Sequence, residues 1–193
     1  MTAPTFRGGA GTLCLDFLRT LRQQHGAAPA EELTGPAELT AWIRRFGPCP
    51  PPPGAGATDQ AQVLAARRLR EAVRELITAF RAEGAGTANC PEAARRVIND
   101  AAAYPVPAPL LTASGEVRHR TDDPVPATLA LIARDALDLV GTPGTAARLH
   151  ECAGPDCGAV FLDGSRPGKR RWCSMNTCGN RAKKANLREH RPA

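Results

Sequence analysis

The sequence predicts an α+β fold: a mostly helical N-terminal domain with a small antiparallel sheet over residues 1–144, then a small four-cysteine module over residues 145–193. Three observations predict it. Several stretches between residues 36 and 140 repeat apolar side chains at three- and four-residue steps, the period of a core-facing helix. Shorter apolar runs bounded by Gly, Ser and Pro suit strands. Four of the seven cysteines, Cys152, Cys157, Cys173 and Cys178, crowd near the end, whereas Cys14, Cys49 and Cys90 are scattered.

The elements follow in chain order. Residues 12–21, TLCLDFLRTL, suit a strand, with Leu13, Leu15 and Phe17 alternating with Cys14, Asp16 and Leu18. Residues 36–46 suit a short helix with Leu39, Trp42, Ile43 and Phe46 on one side. Residues 47–57, GPCPPPPGAGA, form a loop, because consecutive prolines lack amide donors. Residues 59–83 carry the clearest helical stripe: Val63, Ala66, Leu69, Val73, Leu76, Ile77 and Phe80. Arg67, Arg68, Arg70 and Arg74 fall largely off it and predict a solvated face partnered by Glu71 and Glu75. Residues 90–103 form another helix, with Asn89 and Glu92 spaced as a capping box. Residues 105–120 suit a hairpin turning at Ser114-Gly115. Residues 124–140 return to helix, burying Leu129, Ile132, Ala136, Leu137 and Val140. The breaker GTPGT at 141–145 marks the domain boundary.

Composition narrows the class. Hydrophobic residues make up 42%, enough for a core, but aromatics only 4%, so the core must rest on Leu, Val, Ile and Ala. No apolar run approaches the length of a membrane span. The N-terminus has no signal-peptide pattern, so a cytoplasmic location is expected. An odd number of cysteines in such a chain argues against a disulfide framework. The N-terminal region has no phosphate-cradling glycine loop, no metal-ligating His pair and no nucleophile motif, so an enzyme is not expected. Asp16 and Arg19 are the only polar pair on the first apolar run that invites a ligand, in competition with a surface or capping role.

The cysteine spacing points to a metal. Cys152-AGPD-Cys157 and Cys173-SMNT-Cys178 are two pairs with fifteen residues between them. Tight turns can aim both sulfurs of each pair at one point, and four thiolates complete the tetrahedral shell of a structural zinc ion. His150 adjoins the first pair but is not needed. With no open coordination position, one structural Zn²⁺ is expected, not a catalytic one. A segment of this length rarely folds without such a staple.

Charge is also concentrated there. Residues 151–193 hold nine Lys and Arg against four Asp and Glu, whereas residues 1–150 hold sixteen against fifteen. On a helix from Thr177 to His190, Arg181, Lys184, Arg188 and Arg191 share one narrow arc, with Lys183 adding to the set. Cys178, Ala182 and Ala185 lie on an adjacent small face, suited to packing on the metal site. Arg166, Lys169, Arg170 and Arg171 form a second cluster, followed by Trp172, which is expected to cover the metal. Such groups bind phosphate backbones, and Asn180 could pair with an adenine edge. Part of this charge could instead offset the two net negative charges of a zinc tetrathiolate.

The tail from Cys152 to Arg191 closely resembles the CGNR zinc-finger proteins of bacteria. The resemblance includes Phe161, Asp163, Ser165-Arg166, the run Arg170 to Met175 and the tetrad Cys178-Gly179-Asn180-Arg181. The opening Leu13-Cys14-Leu15-Asp16-Phe17 is similar to the start of the ABATE domain that precedes this finger in the family, with Leu18-Arg19-Thr20 where Val-Asn-Thr is usual. The resemblance implies a stress-induced transcription regulator whose finger binds DNA.

The expected function is therefore a zinc-dependent, DNA-binding transcriptional regulator associated with the nucleoid. Its N-terminal domain would sense a small-molecule effector or mediate homodimerisation, and no membrane contact is expected. Two other readings stay open: an RNA- or protein-binding zinc ribbon, and a redox sensor that releases zinc when its thiolates are oxidised.

Overall fold

The computed structural model describes residues 6–51, 58–83 and 89–189. Helix α1 is Leu13–Leu18; strands β1, Leu21–Arg22, and β2, Ala30–Glu31, pair antiparallel. Helices α2, Pro36–Phe46, α3, Gln60–Glu83, and α4, Glu92–Ala103, follow. Strands β3, Ala108–Leu111, and β4, Val117–Arg120, make a hairpin before helix α5, Pro124–Gly141. A 3₁₀ turn, Ala146–Arg148, leads to β5, Leu149–Glu151, which pairs with β6, Val160–Leu162. A π-helical turn, Met175–Gly179, runs into α6, Asn180–Glu189. This is the expected α+β architecture, mostly helical with small antiparallel sheets. Part of the proline-rich loop, residues 52–57, lies outside the described residues.

The long helices form where the apolar period is clean. The whole predicted stripe of α3 is buried, from Val63 to Phe80. Asp59 and Gln62 start this helix with a reciprocal cap: Gln62 N–H donates to Asp59 Oδ1 at 2.7 Å, and Asp59 N–H to Gln62 Oε1 at 3.2 Å. Helices α3, α4 and α5 pack on one another, and α1 and α2 close the core around Phe17 and Trp42, whose rings meet edge to face at 5.0 Å.

Several expectations are corrected. Residues 12–21 do not form a strand; Leu13–Leu18 is helical. Its buried set is Cys14, Leu15, Phe17 and Leu18, a spacing that a strand would split between two faces and a helix gathers on one. The run is too short for periodicity to decide, and tertiary contact does: Cys14 N–H, an orphan donor of the first helical turn, donates to Asp135 Oδ2 from α5 at 2.7 Å. The capping box at Asn89 does not form, because α4 starts two residues later than that box requires, with Pro91 at its N-cap. On α5, Leu137 is 37% exposed, while Ala133 and Leu139 are buried. Helix α5 packs against α1, α3 and α4, and those contacts bury Ala133 and Leu139 and leave Leu137 at the edge.

Arg70 is not on a solvated face. It is 3% exposed and forks onto Glu31, with Nη1–Oε1 at 2.7 Å and Nη2–Oε2 at 2.5 Å, while also donating to Thr20 Oγ1. Burial alone would raise the Glu31 carboxyl, but the Arg70 fork, the Leu33 amide and the charges of Arg70 and Arg67 outweigh it and hold its pKa below the usual value. This pair ties the β1–β2 ribbon to α3.

A candidate zinc centre and its basic surface

Strands β5 and β6 are short, but they position the first cysteine pair. Cys152 follows β5, and its amide donates to Ala159 O at 2.9 Å, so the hairpin continues past the strand. The tip turns with Cys157 N–H on Gly154 O at 3.0 Å. A side chain at Gly154 would crowd Cys157 Cβ at 3.2 Å and touch the Cys152 and Cys178 sulfurs at 3.6 Å. The second pair is brought in by backbone contacts: Ala153 N–H donates to Arg171 O at 2.9 Å, and Cys173 N–H points to Cys152 Sγ at 3.4 Å. Cys178 sits in the π-helical turn that opens α6.

All four Sγ atoms lie within 4.8 Å of one another. Cys157–Cys173 and Cys173–Cys178 are 3.7 Å apart, and Cys157–Cys178 is 3.6 Å. These distances are far too long for disulfides. They match the edge of a tetrahedron with zinc–sulfur bonds of ~2.3 Å, which is about 3.8 Å. The thiols also interact as a unit. A hydrogen bond from Cys173 draws the Cys157 pKa down to about 5, whereas burial and then the hydrogen bond to Cys157 push Cys178 up to about 11. Four sulfurs this close can ionise together only around a cation. The residues therefore fit one structural zinc ion, and His150 is not among them.

A polar pin holds the loop between the pairs. Asp163 is fully buried and accepts from Ser165 N–H and Arg170 N–H, each at 2.9 Å. These bonds, with the Arg170 amide first, hold its pKa down to about 2. The Arg170 guanidinium turns inward: it donates to Trp172 O at 2.8 Å and to Cys173 O, and stacks 4.6 Å over the Phe161 ring. Sequence reasoning missed both roles. The signal available for Asp163 was its place two residues before Ser165, a pattern that favours an Asx turn.

The module is not free-standing. Phe161 is 0% exposed and belongs, with Leu149, Ala159 and the cysteines, to one hydrophobic cluster shared with α1 and α3. Leu162 N–H donates to Ala10 O at 2.7 Å, and Gln24 N–H to Cys157 O at 3.3 Å. A small cavity of about 30 Å³ beside Cys157, Cys173 and Cys178 is lined by Arg7, Arg19, Arg22 and Arg181. Arg22 is already paired with Glu32 at 2.8 Å; Arg7 and Arg181 would offset part of the charge of a zinc tetrathiolate.

Residues 11–143 match the family model ABATE, described as "Putative stress-induced transcription regulator", and residues 148–191 match the CGNR zinc finger.

The chain belongs to the ABATE family.

A comparison with curated proteins finds no match. The chain thus joins an ABATE domain to a zinc-binding finger. Among the described residues, no helix is long and apolar enough to cross a membrane.

The other predicted site residues divide. Arg166, Lys169, Arg171, Asn180, Arg181, Lys183, Lys184 and Arg188 are exposed, whereas Arg170 serves the interior of the finger. Arg191 lies outside the described residues. Ala182 is half-buried but Ala185 is exposed, so α6 leaves the metal after its first turn. Trp172 is half-buried and packs over Gly179, where a Cβ would meet its ring at 3.3 Å. Asp16 takes the capping role: its carboxylate accepts from Ala10 N–H at 2.7 Å and Gly9 N–H at 3.2 Å. Arg19 is 5% exposed and donates to Gly8 O at 2.7 Å.

Proposed function

We propose that this ABATE protein is a DNA-binding transcriptional regulator, acting as a binding protein and not as an enzyme. The observation that carries this reading is the placement of Arg181, Lys184 and Arg188. They share one face of an exposed helix whose start is anchored at the cysteine cluster. Zinc orders the finger, α6 presents the basic arc to a groove, and Arg166, Lys169 and Arg171 add phosphate contacts. Asn180, at the start of α6, is available for a base edge. A single finger makes a small interface, so sequence specificity calls for two copies of the chain. A cytoplasmic, nucleoid-associated location follows from that partner.

Fluorescence anisotropy with labelled duplex DNA tests this. The expected plot of log K against log salt slopes by roughly −3 to −6, for about four to six phosphates engaged. Salt-insensitive or absent binding to any duplex rejects it. A second reading, a protein-docking ribbon, has one specific observation in its favour. Trp172, Met175, Ala182 and Leu187 line an open apolar groove on another face of the finger, with Arg171 and Lys183 at its rim. Retention of duplex binding by Leu187→Asp, with loss of a protein partner, would separate the two surfaces.

A further inference from the structure

The ABATE domain and the finger meet along α1, α3 and the β5–β6 hairpin, and this seam forms a second, larger cavity of about 220 Å³ that opens to solvent. It has room for on the order of ten water-sized groups, enough for a small metabolite. One wall comes from the ABATE domain, including Leu18, Arg19, Arg74 and Thr78; the other comes from the finger, including Glu151 and Val160.

The charge of the lining is uneven. Arg19, Arg74 and Arg81 contribute three guanidinium groups; Glu151 is the carboxylate of the lining, and Arg74 is held by Glu71 from outside it, Nε to Oε2 at 2.9 Å. Glu151 is already engaged on both oxygens, by Arg81 Nη1 at 2.9 Å and His25 Nε2 at 3.4 Å. Arg19 is almost fully buried. The carboxylate nearest to it, Asp16, stands 3.9 Å away and accepts two backbone amides. A guanidinium has five donors, and Arg19 spends one of them on Gly8 O. Arg74 and Arg81 are each paired with a carboxylate, so it is Arg19, a buried cation with donors to spare, that makes the cavity attractive to an anion. Leu18 and Val160 add apolar surface for a short carbon body.

We propose that this seam cavity binds a small organic anion, its acidic group directed at Arg19 and its aliphatic part lying against Leu18 and Val160. A ligand there touches both domains, so its binding free energy depends on how the finger sits against α1 and α3. This names the site and ligand class for the effector of the regulator reading, on which its biological consequence rests. Binding itself is measurable without DNA.

The test is a ¹H–¹⁵N NMR titration of the zinc-loaded full chain with sodium butyrate and, separately, sodium phosphate, at ionic strength held constant with sodium chloride. Saturable one-site shifts centred on Gly158, Ala159, Val160 and the Arg19 side chain are expected with butyrate. Saturation by phosphate alone would assign the site to inorganic anions and overturn the organic-acid assignment. Thr78→Trp, at an exposed position on the wall, should fill the cavity and abolish binding, and Arg19→Lys, which keeps the charge but loses the planar set of donors, should weaken it about tenfold. Non-saturable shifts with both probes, or unchanged binding in Thr78→Trp, overturn the proposal. Duplex affinity is measured on the same samples. Loss of the anion site with salt-dependent DNA binding intact removes this inference alone, whereas saturable anion binding without DNA affinity removes the regulator reading alone.

Discussion

The helical body and the finger hold themselves together by different means. Around α3 the stripe from Val63 to Phe80 recurs at the helical period and is buried, so the body is an ordinary hydrophobic core. The finger has few large apolar side chains. Its shape comes from four sulfurs, a buried aspartate and an inward-turned arginine. The lesson is that a periodic stripe tolerates substitution in proportion to volume lost, whereas a site of few specific ligands fails when any one is removed. The two are nonetheless joined, because Phe161 inserts into the body's core.

Substitutions can sharpen or break that contrast. The largest effect is expected from Cys173→Ser. Zinc should fall from about one ion per chain to near zero after dialysis, with loss of duplex affinity, while circular dichroism retains most helical signal. Elemental analysis with parallel melting checks it; unchanged zinc content would break the comparison at its root. Leu69→Ala, at a fully buried stripe position, should cost the body ~2–5 kcal/mol in urea unfolding and leave zinc stoichiometry unchanged.

A smaller effect probes electrostatics in the body. Because Glu31 has a lowered pKa in the folded state, its pairing with Arg70 contributes fully above the ordinary pKa of 4.5 and is lost as pH falls below it. Urea midpoints should therefore drop between pH 5 and pH 3, and Glu31→Gln should lower stability at pH 7 and flatten that drop. An equally steep acid loss in the variant would assign it elsewhere.

At the seam, Gly158 has φ of +62°, and a side chain there would strike Gln24 Cβ at 2.9 Å and the His25 ring at 3.0 Å. Gly158→Ala should cost about 1–2 kcal/mol from the left-handed backbone alone. A melt in which the body and the finger separate into two transitions would show that the seam couples them. The smallest effect is expected for Leu187→Ala, which is 63% exposed on α6: a stability change within ~0.5 kcal/mol, measured by thermal melting.

Much of the fold was legible in the sequence. The α3 stripe, the α2 face and the Ser114-Gly115 hairpin turn could be read because each rests on local rules: helical period, proline at the first helical turn, and glycine at positive φ. The zinc ligands were legible because spacing alone constrains them. Other features were not. Leu13–Leu18 was ambiguous between strand and helix at its length, and an acceptor 121 residues away, Asp135, favours the helix. Arg70 and Arg170 look like surface cations in a linear reading, yet each satisfies buried acceptors supplied by distant or folded-back segments.

By itself, the sequence determined which segments carry a buried helical face, which four sulfurs can share a metal, and where positive charge accumulates. Only the tertiary structure decided that the finger is seated in the body's core, that Asp16 caps a loop while Arg19 lines a cavity, and that this cavity lies where the two domains meet. The physical reason is range. Periodicity and ligand spacing are set by neighbours a few residues apart, whereas burial of a charge or closure of a cavity depends on which remote surfaces meet.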